Sequence, residues 1–151
     1  MKIEKILFKV SGDLVENKDV LNEIKEKAKD RSRLVDILYG FGTRLSAELN
    51  RAEIDFEYKN GIRETTEEGL KLALKVSNET REKLKKEFSG FYNISFISPV
   101  KQINGKIINT NSDEIVIKEH GHYDDVIVYA LQGRNKDKFK DLKNVDVKYI
   151  D

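Results

Sequence analysis

An apolar run, a glycine turn and an amphipathic helix follow one another twice in the first third of the chain. The first run, residues 3–10, stops at Ser11-Gly12 and precedes a helix over 18–30 that Asn17 can cap. The second run, residues 34–39, stops at Gly40-Phe41-Gly42 and precedes a helix over 43–52. Two such units in succession predict parallel strands joined by helical crossovers. We therefore expect a three-layer α/β/α sandwich with a mainly parallel sheet.

The pair Asn60-Gly61 predicts a tight turn, because both residues tolerate a positive φ. An extended piece at 54–58 precedes it, and a long amphipathic helix over 66–88 follows it. Thr65 and Glu68 have the spacing of a capping box, so we expect them to open this helix.

A second pair, Asn104-Gly105, predicts a β-hairpin insertion between 101–103 and 106–108. A strand at 94–97 precedes it and ends at Ser98-Pro99, since proline cannot donate to the ladder of a central strand. The pattern beyond the hairpin predicts a further strand through Ile115 and Ile117, a strand at 126–131, a helix at 135–142 and a strand at 145–150.

Composition excludes several classes of function. The 151 residues include 28 basic and 27 acidic side chains, a formal net charge of +1, so no global field favours nucleic acid or a membrane surface. The absence of cysteine excludes disulfides and thiolate metal sites. No apolar run reaches the ~20 residues of a membrane span, and the first residues lack the apolar core of a signal peptide. We expect one domain over 1–151 in a cytoplasmic protein.

Candidate site residues cluster where the first two predicted strands end. Lys9, Ser11 and Gly12 lie at the end of the first strand, and Gly40 and Gly42 at the end of the second. Ligands bind at this edge of an open parallel sheet, where backbone N–H groups could approach phosphoryl oxygens with Lys9 as the countercharge. The alternative is that the glycines only terminate strands. The sequence has neither a Walker A pattern nor a G-x-G-x-x-G pattern.

Arg63 and a polar stretch after the hairpin are further candidates. Arg63 precedes a predicted helix N-terminus and could hold a carboxylate or a phosphate; the alternative is a pair with a surface glutamate. Asn109, Asn111 and Asp113 could hold a ligand or orient a lysine; the alternative is an ordinary loop of Asx-turns.

Two later segments carry weaker signals. His120 and His122 alternate near two aspartates but lack a third well-spaced ligand, so we predict no metal site. The basic residues after them are interpreted as a solvated helix face: Arg134, Lys136, Lys138, Lys140 and Lys143.

In their order along the chain, these motifs resemble those of the amino-acid kinase family, most closely its N-acetylglutamate kinase branch. Residues 9–12, Lys-Val-Ser-Gly, resemble the opening Lys-x-Gly-Gly turn, or the Lys-x-Ser-Gly form of uridylate kinases. Residues 39–42 stand where a His-Gly-Gly-Gly turn is expected. Residues 60–65 are similar to an Asn-Gly-Leu-Arg-Val-Thr motif, and Ser98-Pro99 with 109–113 to a later Ser-Pro and Asn-x-Asn-Ala-Asp stretch.

The resemblance implies roles for the matched residues. Lys9 and Asp113 would be catalytic, and Ser11 and Gly12 would bind phosphate. The acceptor substrate would contact five residues: Gly40, Gly42, Arg63, Asn109 and Asn111. ATP and Mg²⁺ would be the cofactors, and a small anionic molecule the partner. Residues 1–113 would match the acceptor half, and 114–151 would be a remnant of the nucleotide half.

Three departures from the family shape the predicted function. The chain is shorter, Phe41 replaces the middle glycine of the second turn, and no residue of the tail clearly matches the second catalytic lysine. We therefore expect a shortened, divergent member that binds an acylated amino acid, carboxylate or phosphate without efficient phosphoryl transfer. The alternatives are an active kinase completed by oligomerisation and an interaction module that retains only the scaffold. We also expect a homo-oligomer, because a shortened sheet leaves an apolar edge or face.

Overall fold

The computed structural model describes residues 2–133 and 137–151. In chain order its helices and strands are β1 (Glu4–Val10), α1 (Lys18–Ala28), β2 (Arg33–Tyr39), α2 (Gly42–Arg51), β3 (Phe56–Lys59), β4 (Ile62–Thr65), α3 (Glu67–Glu87), β5 (Ile94–Ile97), β6 (Val100–Ile103), β7 (Lys106–Asn109), α4 (Ser112–Glu119), β8 (Asp125–Leu131) and β9 (Val145–Ile150).

Five parallel strands form the central sheet, in the order β5, β2, β1, β8, β9. Glu4 lies opposite Arg33, and Val10 lies opposite Tyr39, so the first two strands end at the same edge. The prediction that these two strands are parallel is therefore confirmed. The order also places β1 at the centre, where the loop that follows it adjoins the loops of two neighbouring strands.

Helices cover both faces of this sheet. Helices α1, α2 and α3 contribute to one core with strand residues such as Phe8 and Ile37. Helix α4 contributes Val116 to a second core on the opposite face, with Leu7 and Leu38. Alternate residues of a strand point to opposite faces, which is why Leu7 and Phe8 belong to different cores. The mixed α/β architecture with a mainly parallel sheet is as predicted.

Two antiparallel hairpins, β3–β4 and β6–β7, form separate two-stranded sheets. Asn60 and Gly61 have φ values of 53° and 79°, and Asn104 and Gly105 have 52° and 79°. Positive φ at both central residues matches the type I′ turn, whose twist suits a two-residue hairpin loop. Both turn predictions and the predicted β6–β7 hairpin are confirmed.

The start of α3 differs from the prediction. The chain continues after the Asn60-Gly61 turn as strand β4, which includes Thr65. Thr66 is the actual cap, and its hydroxyl accepts a hydrogen bond from the Gly69 N–H at 3.1 Å. The Thr65 hydroxyl instead donates to the Asp55 carbonyl. The predicted capping box was wrong because Thr65 is part of the β ladder.

Two later predictions also need correction. Ile115 and Ile117 lie in helix α4, not in a strand; Asn111 caps this helix, and Val116 between them is the fully buried residue. Residues 135 and 136 of the predicted helix at 135–142 lie outside the described residues, and the described part, 137–142, is not helical. Among the described residues, no helix combines the length and apolar character needed to cross a bilayer.

Candidate functional site

Two glycine loops meet at the carboxyl edge of the sheet. Ser11 and Gly12 follow β1, and Gly40 joins β2 to helix α2. The Gly40 N–H donates to the Val10 carbonyl at 2.9 Å, and the Ser11 N–H donates to the Tyr129 carbonyl of β8. Because β1 lies between β2 and β8, these bonds fix the loop after β1 between its neighbours. The predicted convergence of the two loops is present.

Close packing of backbone against backbone explains the glycines here. A Cβ atom on Gly40 would lie 2.8 Å from the Gly12 nitrogen, and one on Gly12 would lie 3.0 Å from the Gly42 nitrogen. A Cβ on Gly42 would meet only the Arg63 Nη2 atom, at an ordinary 3.7 Å. Gly12 and Gly40 are therefore required by the packing of the loops themselves, whether or not a ligand approaches them.

An ion pair stands beside these loops. Lys9 Nζ lies 3.0 Å from Asp113 Oδ1, and the two side chains are 9% and 11% exposed. Lys138 Nζ donates to the other carboxylate oxygen at 2.7 Å. Lys138 was predicted to lie on a solvated face, and no local pattern links it to Asp113, 25 residues away. The structure thus adds a second lysine to the predicted Lys9 and Asp113.

The two lysines determine the ionisation of Asp113. Burial alone would raise the pKa of this carboxyl, but the neighbouring Lys9 and Lys138 ammonium groups outweigh burial and hold its pKa below the usual value. Asp113 is also in the first turn of α4, where the helix dipole favours a negative charge. Asp113 is therefore a carboxylate at neutral pH, and it fixes the position of Lys9.

Arg63 is a buried cation, 8% exposed, without a carboxylate partner among the described residues. Its Nη2 atom donates to Gly42 O at 3.2 Å, to Ser46 Oγ at 2.8 Å and to the Tyr58 hydroxyl. Its guanidinium carbon lies 4.8 Å from the centre of the Phe56 ring and 5.1 Å from that of Tyr58. The Nε and Nη1 atoms are buried and have no hydrogen-bond partner in residues 2–133 and 137–151.

The surroundings of Arg63 differ from the prediction. Its guanidinium contacts the first turns of α2, through Gly42 and Ser46, rather than the start of α3. No ion pair with a glutamate forms within the described part of the chain. Sequence reasoning missed Ser46 and Tyr58, and Ser46 reaches Arg63 only through tertiary packing. Tyr58 also stands opposite Arg63 in the β3–β4 ladder, which the Asn60-Gly61 turn could have indicated.

Asn109 and Asn111 connect the two hairpins. The Asn109 side-chain amide donates to the Arg63 carbonyl at 2.6 Å, and that of Asn111 donates to the Gly61 carbonyl at 3.0 Å. The Asn111 side-chain oxygen also accepts from the Asp113 N–H and so caps α4. Both residues line the same cleft as Arg63, but these amide groups bond to the backbone.

All nine predicted site residues line one cleft of about 340 Å³. They are Lys9, Ser11, Gly12, Gly40, Gly42, Arg63, Asn109, Asn111 and Asp113. Among the described residues, the charged part of the lining consists of Lys9, Arg63 and Lys138 against the single carboxylate of Asp113, an excess of two positive charges. Phe41 does not block the glycine turn with its ring, which packs in the core beside Tyr39.

A larger groove of about 720 Å³ lies between α1, α2 and α3 and shares Gly12 and Phe41 with the cleft. Its cations are paired with glutamates of neighbouring elements: Lys18 with Glu87, Lys83 with Glu16, and Arg44 with Glu79. The groove therefore lacks a counterpart to the unpaired donors of Arg63. The smaller cleft has the chemical features of a ligand site.

The histidine segment has its own local contacts. His120 Nδ1 lies 2.9 Å from the Asn144 side-chain oxygen, and His122 lies 3.6 Å from a carboxylate oxygen of Glu119. Across residues 2–133 and 137–151, no three histidine, aspartate or glutamate side chains come together in a way that could hold a metal ion.

Solved structures of other proteins share this fold. Two are crystal structures of N-acetylglutamate synthase from Neisseria gonorrhoeae, one complexed with coenzyme A and L-arginine and the other with coenzyme A and N-acetyl-glutamate. They have TM-scores of 0.67 and 0.68 at 14% identity, and the match covers 87% of this chain but 44% and 42% of the synthase chains. A third is smu.665 from Streptococcus mutans UA159, with a TM-score of 0.64 at 16% identity, covering 89% of this chain and 76% of the other.

These likenesses show the fold alone. No protein-family model matches the sequence, and no curated protein matches it either. The chain spans less than half the length of the synthase chains that it resembles.

The resemblance to the amino-acid kinase family is corrected by this finding. The two structures above whose names state an activity are N-acetylglutamate synthases rather than amino-acid kinases, and both are complexed with coenzyme A, not with ATP or Mg²⁺. The predicted function as a shortened member of the kinase family was therefore wrong, as were both alternatives built on a kinase scaffold. The predicted cofactors, ATP and Mg²⁺, were wrong for the same reason. The homo-oligomer stays a prediction.

Proposed function

We propose that the cleft binds a small molecule of the amino-acid class and holds its carboxylate at Arg63. The unpaired Nε and Nη1 atoms of Arg63 carry the proposal. Buried charged groups are ordinarily paired, and an unsatisfied buried donor costs about 1–3 kcal/mol, or more when it is charged. Within the described part of the chain, the hydrogen-bond partners of Arg63 are all neutral: Gly42, Ser46 and Tyr58. A ligand carboxylate would neutralise the guanidinium and accept hydrogen bonds from its free N–H groups.

The charge and size of the cleft support the same class of ligand. Three cations face one carboxylate across the lining, so the field inside favours an anion. The volume of about 340 Å³ lies near the lower end for small-molecule sites. An amino acid or its acyl derivative fits this volume better than a whole coenzyme A molecule. Lys9 is held by Asp113 and would contact a second polar group of the ligand.

Tyr58 controls access to the guanidinium in this proposal. Its hydroxyl bonds to Arg63 Nη2 and its ring lies against the guanidinium, yet the residue is 61% exposed. The side chain can therefore swing into solvent without opening the core. An entering carboxylate would replace the Tyr58 hydroxyl, and the exchange would be favoured because a charged acceptor bonds to arginine more strongly than a neutral one.

The synthase structures suggest the first ligands to test. One contains L-arginine and the other N-acetyl-glutamate, each with coenzyme A. Because this chain covers less than half of those chains, synthesis of N-acetylglutamate is not part of the proposal.

Isothermal titration calorimetry with N-acetyl-L-glutamate, L-glutamate, L-arginine and coenzyme A tests the proposal directly. We expect binding of at least one of the three amino-acid ligands, and a loss of at least about tenfold when its carboxylates are converted to amides, the range for a charge-assisted hydrogen bond. Arg63→Gln should weaken binding to a similar extent. Tyr58→Phe should keep or increase the affinity, because it removes only the competing hydroxyl.

Arg44→Gln is the matched control, since Arg44 is an arginine of the same neighbourhood that lies outside the cleft and pairs with Glu79. It should leave the affinity unchanged. The proposal is refuted if no carboxylate ligand binds, or if Arg63→Gln and Arg44→Gln have the same effect on a ligand that does bind.

A further inference from the structure

Strand β9 leaves one edge of the central sheet open. It pairs with β8 on one side, and no described residue pairs with its other side. The Asn144 and Ile150 carbonyls accept hydrogen bonds from the β8 side. Backbone N–H and C=O groups point to alternate edges of a strand from one residue to the next. The open edge therefore presents the backbone groups of Val145, Val147 and Tyr149. An open edge of this kind is a template for pairing with another strand.

We propose that β9 pairs with β9 of a second copy of this chain, antiparallel and centred on Val147, so that one sheet runs through both copies. A two-fold axis at Val147 brings each Val147 opposite the other and allows them to exchange two backbone hydrogen bonds. The same register sets Tyr149 opposite Val145 of the second copy. The Tyr149 N–H can then donate to the Val145 carbonyl at each end of the ladder.

The charges of β9 are complementary only in this register. With the axis at Val147, Asp146 lies opposite Lys148 of the second copy, and this occurs twice. An axis at Asp146 would set two aspartates against each other, and an axis at Lys148 would set two lysines against each other. In all three registers, the facing Asp146 and Lys148 side chains belong to non-hydrogen-bonded pairs of the ladder, in which side chains approach most closely. Opposite charges stabilise such a pair and like charges destabilise it.

The side chains of the edge suit a partner strand as well. Val145 and Val147 extend the second core to the edge of the sheet, where they are only partly buried. In the proposed register Val145 lies opposite Tyr149 of the second copy, and the two Val147 residues lie opposite each other. They would form aromatic–aliphatic and aliphatic pairs on one face of the sheet. On the other face, Lys148 bonds to Glu23 of α1 and would gain a second carboxylate from the partner's Asp146.

Charge reversal tests the register. Sedimentation velocity and light scattering should show the mass of two chains for the unmodified protein. Asp146→Lys places lysines opposite one another on both sides of the axis, and we expect the dissociation constant of the dimer to rise about tenfold or more. Lys148→Asp should have the same effect. Glu57→Lys, an equivalent reversal on an exposed strand residue of β3, is the matched control and should leave the mass unchanged.

Mixing the two charge-reversed variants should restore dimer formation, which chains that had lost their fold could not do. The Asp146→Lys chain then meets aspartates at both positions of the Lys148→Asp chain, so differently tagged copies should form a heterodimer in native mass spectrometry. The double variant D146K/K148D should likewise recover the homodimer. A monomeric unmodified protein at about 100 μM, a dimer unaffected by either reversal, or reversed variants that fail to pair on mixing would each overturn the proposal.

Discussion

Replacing Asp113 by asparagine should destabilise the fold strongly, because it leaves Lys9 as an unpaired charge inside the protein. The Lys9 and Asp113 side chains are 9% and 11% exposed, and their charged atoms lie 3.0 Å apart. At an effective dielectric constant of about 20, unit charges at this distance attract by roughly 5 kcal/mol, part of which offsets desolvation. Asparagine has nearly the same shape, so the substitution isolates the charge.

We expect a loss of about 3 kcal/mol in the free energy of unfolding at pH 7. Removing one partner of a buried pair typically costs about 3–5 kcal/mol. The lower end applies here because the second lysine, Lys138, has a side chain that is 46% exposed and regains water when Asp113 is lost. With a urea slope of about 2 kcal/mol/M, the midpoint of unfolding should fall by about 1.5 M.

A double-mutant cycle separates the charge from the packing. Lys9→Met with Asp113→Asn removes both charges, and we expect the pair to be less destabilising than the sum of the single changes by at least about 1.5 kcal/mol. The effect should also depend on pH. The pKa of Asp113 is lowered in the folded protein, so its stabilisation is complete above the ordinary carboxyl value of 3.8 and is lost as the pH falls through the lower folded-state value.

This account would be contradicted if the effects of the two single substitutions on the free energy of unfolding were additive. A loss in that free energy below about 1 kcal/mol for Asp113→Asn would also contradict it. A gap between the unmodified and Asp113→Asn proteins that stayed constant from pH 7 down to pH 2 would also contradict it, because the asparagine variant cannot titrate at this position.

Two other substitutions have equally specific outcomes. Gly40→Ala should lower the free energy of unfolding by about 1–3 kcal/mol, since its Cβ would lie 2.8 Å from the Gly12 nitrogen, whereas Gly121→Ala has open space and should be close to neutral in the same urea titration. Ser46→Asp should place a carboxylate beside Arg63 Nη2, which now lies 2.8 Å from the serine oxygen, and so raise the free energy of unfolding by about 1 kcal/mol. The new carboxylate should also compete with the ligand, so the affinity for a ligand carboxylate measured by calorimetry should fall at least about tenfold. An unchanged affinity in this variant would show that the ligand does not use Arg63.

The elements that the sequence predicted well have strong local signals. Residues 94–97 and 145–150 have the bounds of β5 and β9, and Asn17 caps α1 as expected. The Asn-Gly turns succeeded because only a few residue types adopt positive φ twice in succession. In each case the information lies within a few residues of the element.

Predictions failed where short patterns were ambiguous or where partners are distant in the chain. The alternation of Ile115 and Ile117 suggested a strand, but the contact with the sheet is made by Val116, and the Asn111 cap sets the helix. Three residues cannot distinguish a period of 2 from one of 3.6. The lysine that completes the Asp113 cluster could not be found locally, because Lys138 approaches Asp113 only after α4 packs on the sheet.

The glycine motifs and Arg63 carry different kinds of information, which explains why the motif order suggested the wrong family. Gly12 and Gly40 are required because two adjacent strand-to-helix loops pack backbone against backbone. Any protein with this sheet edge needs small residues there, so such motifs indicate the fold rather than the reaction. Arg63 is different, because folding gains little from a buried guanidinium with neutral partners and two unpaired nitrogen atoms. A purely structural role would be served better by an apolar side chain or by an arginine with a carboxylate partner. The retention of an uncompensated cation in the cleft is therefore the feature that points to a ligand.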